Sequence, residues 1–334
     1  MKRTSLVALF LALTAVTAWG QDKFKTQNDV VYATHDGVAL KGDLYSPTSG
    51  GSHPAMMYIH GGGFRGGSKN GYKASWGPYL AEHGYVVFAI DYRLSVPNQP
   101  TWPQALLDCK AALQYLRGNA SALGIDPDRI GVGGDSAGGE LSAMVGVTQD
   151  FPAFTNKYPS DMYASASTKV KVATPIYGVY DMMAWQKYTS GQPGPNNKPL
   201  EIFLGGAPDE VPGLFYASSP INYIREAATS LGAVASVNTA TKTPWFVAWG
   251  MVDPVVPPEG QGVPFVQALR DAGATVVAVP VPNSDHFWFP SSPIDGKTGD
   301  PVCEEHTAAK FSCSGASPND YILAKYLDFL SHNL

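Results

Sequence analysis

The chain has 334 residues, of which 44% are hydrophobic and 15% charged, and its formal net charge is −5. This is enough apolar material for one large core or two modest ones. The mildly acidic balance excludes the clustered basic surface that nucleic-acid binding needs, and it says little about any other partner.

The first residues have the pattern of a secretory signal peptide. Two basic residues precede an apolar run, Leu6 to Val16, which is too short to span a bilayer comfortably. Small residues follow, so cleavage is expected after Ala18 or Gly20, with a membrane-retained N-terminus as the alternative. We predict a signal peptide over residues 1–20. Its removal lowers the net charge to −7 and leaves a secreted or periplasmic protein with no membrane contact.

The next elements predict a mostly parallel sheet with helices on both faces. Asp29 to Pro47 predicts two antiparallel strands that meet at Asp36-Gly37, a strong turn signal. Buried strands then alternate with amphipathic helices, as in an α/β fold. The predicted strands cover 54–60, 84–93, 129–134, 170–178, 243–250 and 275–281, and the predicted helices cover 101–124, 137–147, 262–273 and 319–330.

This alternation stops between Gly178 and Thr243. The stretch is rich in Pro, Gly, Tyr and Trp, and a loop of that length inside a compact domain is usually functional. We predict that 178–243 is an excursion over one end of the sheet that forms a pocket wall or lid. The chain after the signal, 21–334, is expected to form a single catalytic domain.

Ser136 lies in a motif that is typical of a catalytic nucleophile. Gly134-Asp135-Ser136-Ala137-Gly138 has the form G-x-S-x-G, with a predicted strand before it and a predicted helix after it. In that context the motif is a nucleophile elbow, a tight turn that exposes the serine Oγ and needs small neighbours. The alternative is a structural turn, because the motif alone recurs by chance in glycine-rich chains.

A glycine-rich loop supplies candidate oxyanion donors. His60 and three glycines follow the predicted strand that ends at Ile59. The N–H groups of Gly62 and Gly63, with that of Ala137, are predicted to form an oxyanion hole. The alternatives are a flexible loop or a phosphate cradle, although the latter needs a Lys-Ser/Thr pair and a helix that this loop lacks. His60 is expected to orient the loop rather than to act as a base.

A serine nucleophile needs a base and an orienting acid, which in this arrangement come later in the chain, at strand ends, in the order acid then histidine. Asp253 follows one predicted strand and His286 follows the next. These two residues are our candidates. Asp285 and Glu259 are the alternative acids, but only Asp253 lies in the required strand-end turn.

Several motifs together resemble a known superfamily. The chain contains, in this order between about Val30 and Ile294, the motifs HGGGF, DYRLS, GIDPDRIGVGGDSAGGELSA, SSPINYI, MVDPVVP and DHFWF. They resemble the α/β-hydrolases and, among them, the hormone-sensitive-lipase-like carboxylesterases and the bacterial feruloyl- and acetylxylan-esterase-like enzymes. The chain departs from that pattern in two places. It nearly lacks the N-terminal helical cap, and the cysteine-containing stretch 291–318 is an insert.

The resemblance implies an α/β-hydrolase fold with an antiparallel N-terminal edge. It also implies a carboxylic ester hydrolase whose triad is Ser136, Asp253 and His286, with no metal or organic cofactor. An amide-cleaving enzyme such as an arylformamidase or a peptidase-like hydrolase is the alternative, since the triad alone does not separate C–O from C–N cleavage. A non-enzymatic binding module is disfavoured because such proteins usually lack one triad member.

Aromatic residues near strand ends and in the excursion are candidates for a substrate pocket. Tyr180, Trp185, Phe287 and Trp288 are predicted to line it, and simple packing onto the core is the alternative. An aromatic pocket in a secreted enzyme suits aryl esters, plant cell-wall esters or polyesters. The expected substrate is therefore a short-chain or aromatic ester, either a small molecule or linked to a polymer.

The three cysteines fit an exported protein. Cys303 and Cys313 lie close together in a polar segment, and we predict that they form a disulfide. Cys109 lies in a predicted helix, where a small buried side chain is expected.

Overall fold

The computed structural model describes residues 23–155, 157–191, 198–228, 241–307 and 310–334. The predicted signal peptide lies outside this part of the chain. Within the described residues, eight strands form the main sheet, in the order β1-β2-β4-β3-β5-β6-β7-β8. They are β1 (Phe24–His35), β2 (Val38–Pro47), β3 (His53–Ile59), β4 (Val86–Ile90), β5 (Ile125–Asp135), β6 (Ala173–Ile176), β7 (Trp245–Gly250) and β8 (Val276–Val281).

The pairing of these strands confirms the predicted sheet. β1 pairs antiparallel with β2, and β2 pairs antiparallel with β4. Every other neighbouring pair, from β4-β3 to β7-β8, is parallel. The carboxyl ends of the parallel strands therefore meet at one edge of the sheet, which is where ligands bind in open α/β sheets.

Helices cover both faces of the sheet, as predicted. They are α1 (Trp76–Glu82), α2 (Gln104–Gly118), α3 (Ala120–Leu123), α4 (Ala137–Thr148), α5 (Met182–Ser190), α6 (Pro199–Leu204), α7 (Pro212–Ala217), α8 (Pro220–Ala228), α9 (Gly262–Asp271), α10 (Trp288–Ser291) and α11 (Pro318–Asn333). Consecutive strand residues point to opposite faces. In β7, Trp245 packs edge-on against Phe265 of α9, whereas Phe246 packs against Tyr326 of α11. No helix within the described ranges is long and apolar enough to cross a bilayer.

The expectation of a loop from 178 to 243 is wrong in its local structure. Four short helices, α5 to α8, lie in the described residues of that stretch, 178–191, 198–228 and 241–243. Pro199, Pro212 and Pro220 each begin one of them. Proline suits the first helical position, because its φ is already helical and no intrahelical amide donor is needed there. These three prolines, which suggested an irregular chain, are helix starts.

The N-terminal hairpin is fastened to the body by a buried ionic cluster. Arg93 donates from Nε and Nη2 to the two oxygens of Asp108, at 2.8 and 2.6 Å. The His35 ring bonds to Asp108 and Asp161, both at 2.8 Å, and stacks on Tyr158. Burial alone would lower the pKa of His35, but the hydrogen bonds and charges of the two carboxylates raise it. The cluster joins β1, α2 and the chain after α4.

The insert 291–318 contains a two-stranded antiparallel sheet, β9 (Cys303–Thr307) and β10 (Lys310–Cys313), which the sequence analysis did not predict. Its register pairs the Cα atoms of Cys303 and Cys313. Directly opposite residues in an antiparallel pair have a Cα spacing that suits a disulfide. The pairing of the two sulfurs stays a prediction. Cys109 is buried in α2, as expected.

Candidate active site

Ser136 lies at the turn between β5 and α4, where the backbone is forced into an unusual conformation. Its φ is 53° and its ψ is −118°, a region that costs a non-glycine residue of order 1–3 kcal/mol. The turn is crowded: a Cβ on Gly138 would lie 1.9 Å from the carbonyl oxygen of Ile59, and one on Gly134 would lie 2.4 Å from that of Gly138. Only glycine fits at these two positions. The turn therefore presents the serine hydroxyl at the carboxyl edge of the sheet.

Three side chains from separate strand ends form one hydrogen-bonded line. Nε2 of His286 lies 2.9 Å from Oγ of Ser136, and Nδ1 of His286 lies 2.6 Å from Oδ2 of Asp253. All three residues are buried. In this arrangement the imidazole can accept the serine proton, and the carboxylate holds the tautomer that makes this possible.

The alternative acids are not in this line. Glu259 is exposed on a single-turn 3-10 helix, Pro258–Gly260. Asp285 precedes His286, but its Oδ1 is buried with no hydrogen-bond partner in the described part of the chain. The structure thus pairs His286 with Asp253.

Asp253 is held in place by the turn that follows it. Its Oδ1 accepts the backbone N–H groups of Val255 and Val256, at 2.8 and 2.9 Å. Its Oδ2 is left for His286. The two oxygens of one carboxylate therefore have separate partners, and rotation of the carboxylate would break bonds to both.

The glycine loop packs directly against the nucleophile. A Cβ on Gly61 would lie 3.1 Å from the Cβ of Ser136. Gly62 and Gly63 have φ of 120° and 61°, which favour glycine. Within the described residues, no acceptor is bonded to the N–H groups of Gly62, Gly63 or Ala137. These groups remain available to a developing oxyanion, and their role as the oxyanion hole stays a prediction.

Asp135 links this loop to the elbow. Its Oδ1 accepts the N–H of Gly61 at 3.1 Å and the hydroxyl of Tyr72 at 2.6 Å. Burial raises the pKa of the Asp135 carboxyl, against the opposing effect of these hydrogen bonds. Tyr72 lies outside every motif in the sequence, so no sequence signal could have identified its contact with the residue that precedes Ser136.

His60 has the orienting position that the sequence suggested. Its Nδ1 donates to the carbonyl of Gly61 at 2.7 Å, and its ring stacks on Tyr92 at 4.5 Å between centroids. Burial lowers the pKa of His60. The histidine bonded to Ser136 is His286.

The predicted pocket residues separate into two groups. Tyr180 and Trp288 are fully buried: Tyr180 stacks on Phe265 at 4.1 Å, and Trp288 packs edge-on against Tyr177 at 5.2 Å. The prediction that these two rings line a pocket is wrong, because they have no exposed surface to offer a substrate. Position near a strand end does not reveal the direction in which a side chain points.

Phe287 and Trp185 do lie beside the site. Phe287 is half-buried, and its ring packs edge-on against that of His286 at 4.6 Å. Trp185, in α5, is buried and donates from Nε1 to the carbonyl of Val255 at 2.8 Å. Phe287 thus has surface for a substrate, whereas Trp185 contacts the turn that carries Asp253.

Helix α6 lies over the glycine loop on the other side. Phe203 of α6 stacks on Phe64 at 3.9 Å between centroids, and a Cβ on Gly63 would lie 4.0 Å from the Cβ of Pro199. The excursion therefore contacts both the glycine loop and the turn from Asp253 to Val256, which we call the acid turn. This is the position expected of a wall of the site.

Comparisons with known proteins give one family. The BD-FAE family model matches residues 42–269, a range that includes Ser136 and Asp253. The esterase LipQ of Mycobacterium tuberculosis is 32% identical over 238 residues, covering 70% of this chain and 50% of that protein. The ethyl acetate hydrolase of Pseudomonas putida is 29% identical over 285 residues, covering 82% and 79%.

A solved structure with the same architecture is a truncated carbohydrate esterase from gut microbiota. It is 27% identical, has a TM-score of 0.65, and covers 80% of this chain and 90% of its own. The chain spans about half the length of the curated relatives that match it first.

Proposed function

We propose that this chain, which belongs to the BD-FAE family of α/β-hydrolases, is a serine carboxylic ester hydrolase that works through an acyl-enzyme. The observation that supports this most strongly is the line of Ser136, His286 and Asp253, joined at 2.9 and 2.6 Å. The names of its relatives point to the same chemistry.

The geometry supports a two-step mechanism. His286 accepts the proton of Ser136 as the hydroxyl attacks the ester carbonyl, and Asp253 stabilises the imidazolium that forms. The N–H groups of Gly62, Gly63 and Ala137 stabilise the tetrahedral oxyanion, and the alcohol leaves with a proton from His286. Water, activated by the same imidazole, then hydrolyses the acyl-enzyme.

The substrate class we propose is esters with short acyl groups, including acyl groups on carbohydrate polymers. One relative is named an ethyl acetate hydrolase and one structural neighbour a carbohydrate esterase. An aromatic acyl pocket has less support: of the four predicted aromatic residues, all within the described part of the chain, Tyr180, Trp185 and Trp288 are buried and only Phe287 is half-buried beside His286.

We further propose that the mature protein is secreted or periplasmic and carries a disulfide between Cys303 and Cys313. The signal-like residues 1–20 support export, and the register of β9 and β10 supports the pairing. A count of free thiols on the denatured mature protein, before and after reduction, tests the disulfide. One free thiol before reduction is expected, and three would contradict it.

The test of the activity is a substrate panel on the purified mature protein and its Ser136→Ala variant. The panel contains p-nitrophenyl esters from acetate to palmitate, acetylated xylan, methyl ferulate and p-nitroacetanilide. We expect cleavage of the acetate and butyrate esters by the wild type only, with little cleavage of the anilide. Amide cleavage at a comparable rate would favour the amidase alternative, and equal ester cleavage by Ser136→Ala would refute the assignment.

A further inference from the structure

The carboxylate of Asp253 is bound by two peptide groups, and each of them is bound at its other end by a side chain of α5. The first is the peptide group between Pro254 and Val255. Its N–H donates to Oδ1 of Asp253 at 2.8 Å, and its carbonyl oxygen accepts the hydroxyl of Tyr188 at 2.8 Å.

The second is the next peptide group along the chain. The N–H of Val256 donates to the same Oδ1 at 2.9 Å, while the carbonyl of Val255 accepts Nε1–H of Trp185 at 2.8 Å. A peptide group is planar, so a bond at the carbonyl restrains the direction of the N–H. Each bond also polarises the peptide and strengthens the other.

Attachment of α5 to the rest of the protein does not depend on these two bonds. Oε1 of Gln261 accepts the N–H groups of Tyr180 and Asp181, at 2.8 and 2.9 Å, directly before the helix begins. Asp181 also caps the helix by accepting from the N–H of Ala184. The bonds that Trp185 and Tyr188 donate to the acid turn are therefore not needed to attach α5.

We propose that Trp185 and Tyr188 are positioning residues for Asp253, which orient the two peptide N–H groups that hold its carboxylate toward His286. This inference rests on the proposed function for its effect on catalysis. The effect on the hydrogen bond between Asp253 and His286 does not depend on the proposed function, because that bond is present whatever the substrate is.

The experiment compares three single variants of the whole mature protein. Tyr188→Phe and Trp185→Phe each remove one donor and keep an aromatic ring. Tyr223→Phe is the matched control: Tyr223 also lies in the excursion and donates its hydroxyl to a backbone carbonyl, that of Ala217, at 2.8 Å, but that peptide does not contact Asp253. Thermal unfolding checks that each variant is folded.

Two readouts are measured. The first is kcat and KM on p-nitrophenyl acetate as a function of pH. The second is the low-field proton resonance of the His286 Nδ1–H, identified by its loss in Asp253→Asn. We expect kcat to fall about threefold in Tyr188→Phe and about tenfold in Trp185→Phe, which is the range for loss of one hydrogen bond. KM should change little, and the resonance should move upfield. Tyr223→Phe should match the wild type.

The results separate the two proposals. An unchanged resonance and an unchanged kcat in both α5 variants would overturn the positioning role, and so would an equal fall in Tyr223→Phe. If Trp185→Phe fails to fold, Tyr188→Phe decides, since it removes only the hydroxyl of a half-buried side chain. A wild type without ester activity would refute the proposed function, and the resonance would then decide the positioning role alone.

Discussion

Oδ2 of Asp253 lies 2.6 Å from Nδ1 of His286, while its Oδ1 accepts two backbone N–H groups. The acid therefore has one oxygen for the turn and one for the imidazole. An amide in its place could keep either contact, but it cannot serve as an acceptor with both of its terminal atoms.

Asp253→Asn is expected to lower kcat by about 10⁴, the loss that follows in another serine hydrolase when the imidazole is held in the wrong tautomer. KM on p-nitrophenyl acetate should change much less. Asp285→Asn is the matched variant, because that carboxylate lies next to His286 in the sequence without bonding to it. If Asp285→Asn loses more activity than Asp253→Asn, the acid has been wrongly assigned.

Gly138→Ala is expected to destroy activity and lower stability together. Its Cβ would lie 1.9 Å from the carbonyl oxygen of Ile59, a backbone atom that cannot move without displacing both β3 and the glycine loop. We expect a loss of about 1–3 kcal/mol in the free energy of unfolding, as for overpacking in a core. Gly50→Ala is the control, since a Cβ there meets nothing within 4 Å. If Gly138→Ala has the same melting temperature as the wild type, the turn is not as crowded as the structure indicates.

Tyr72→Phe tests the link between the elbow and the glycine loop. It removes the hydroxyl that bonds to Asp135 and to the carbonyl of Ile59. The buried Asp135 keeps one donor fewer, so we expect a loss of about 1–3 kcal/mol in stability measured by urea unfolding. The rate on p-nitrophenyl acetate should fall because Gly61 loses its fixed position. Full stability and full activity would show that the hydroxyl has no role.

Lys110→Met is expected to stabilise the protein at neutral and acidic pH. Lys110 is buried in α2, and burial lowers its pKa to about 7, so the folded state releases a proton that the unfolded state keeps up to about pH 10. The wild type therefore gains stability as the pH rises from 7 to 10. The carbonyl of Gln149, which accepts from Lys110, keeps its bond from Thr168 in the variant.

This gain should depend on pH in a defined way. We expect Lys110→Met to exceed the wild type by about 1–3 kcal/mol at pH 6 and by much less at pH 9.5, as measured by urea unfolding at both values. An advantage that grows with pH would mean that Lys110 is stabilised in its charged form.

The sequence predicted the sheet and the three side chains that meet at its edge, because both depend on local patterns. In each case a strand followed by a turn places the residue just beyond the carboxyl end of a parallel strand: Ser136 after β5, Asp253 after β7 and His286 after β8, all at one edge of the sheet. The start of α6 at Pro199 was missed, since proline is common both in loops and at the first position of a helix.

The direction of an aromatic side chain could not be predicted. Tyr180, Trp185, Phe287 and Trp288 have the same sequence signal, yet two are in the core, one lies against the catalytic imidazole, and one bonds to the acid turn. For Tyr180 and Trp185 the difference depends on the path of the excursion, and for Phe287 and Trp288 it depends on the chain after β8. Both paths depend on contacts between residues remote in sequence, such as Tyr180 with Phe265 and Trp288 with Tyr177.

Because α5 bonds to the acid turn and α6 packs on the glycine loop, the stretch from 182 to 204 is a poor unit for exchange between relatives. A chimera that imports a foreign excursion to alter substrate preference would also replace the donors behind Asp253 and the ring that stacks on Phe64. Such grafts are expected to slow turnover on every ester unless the donors to the turn that carries Asp253, Trp185 and Tyr188, are kept.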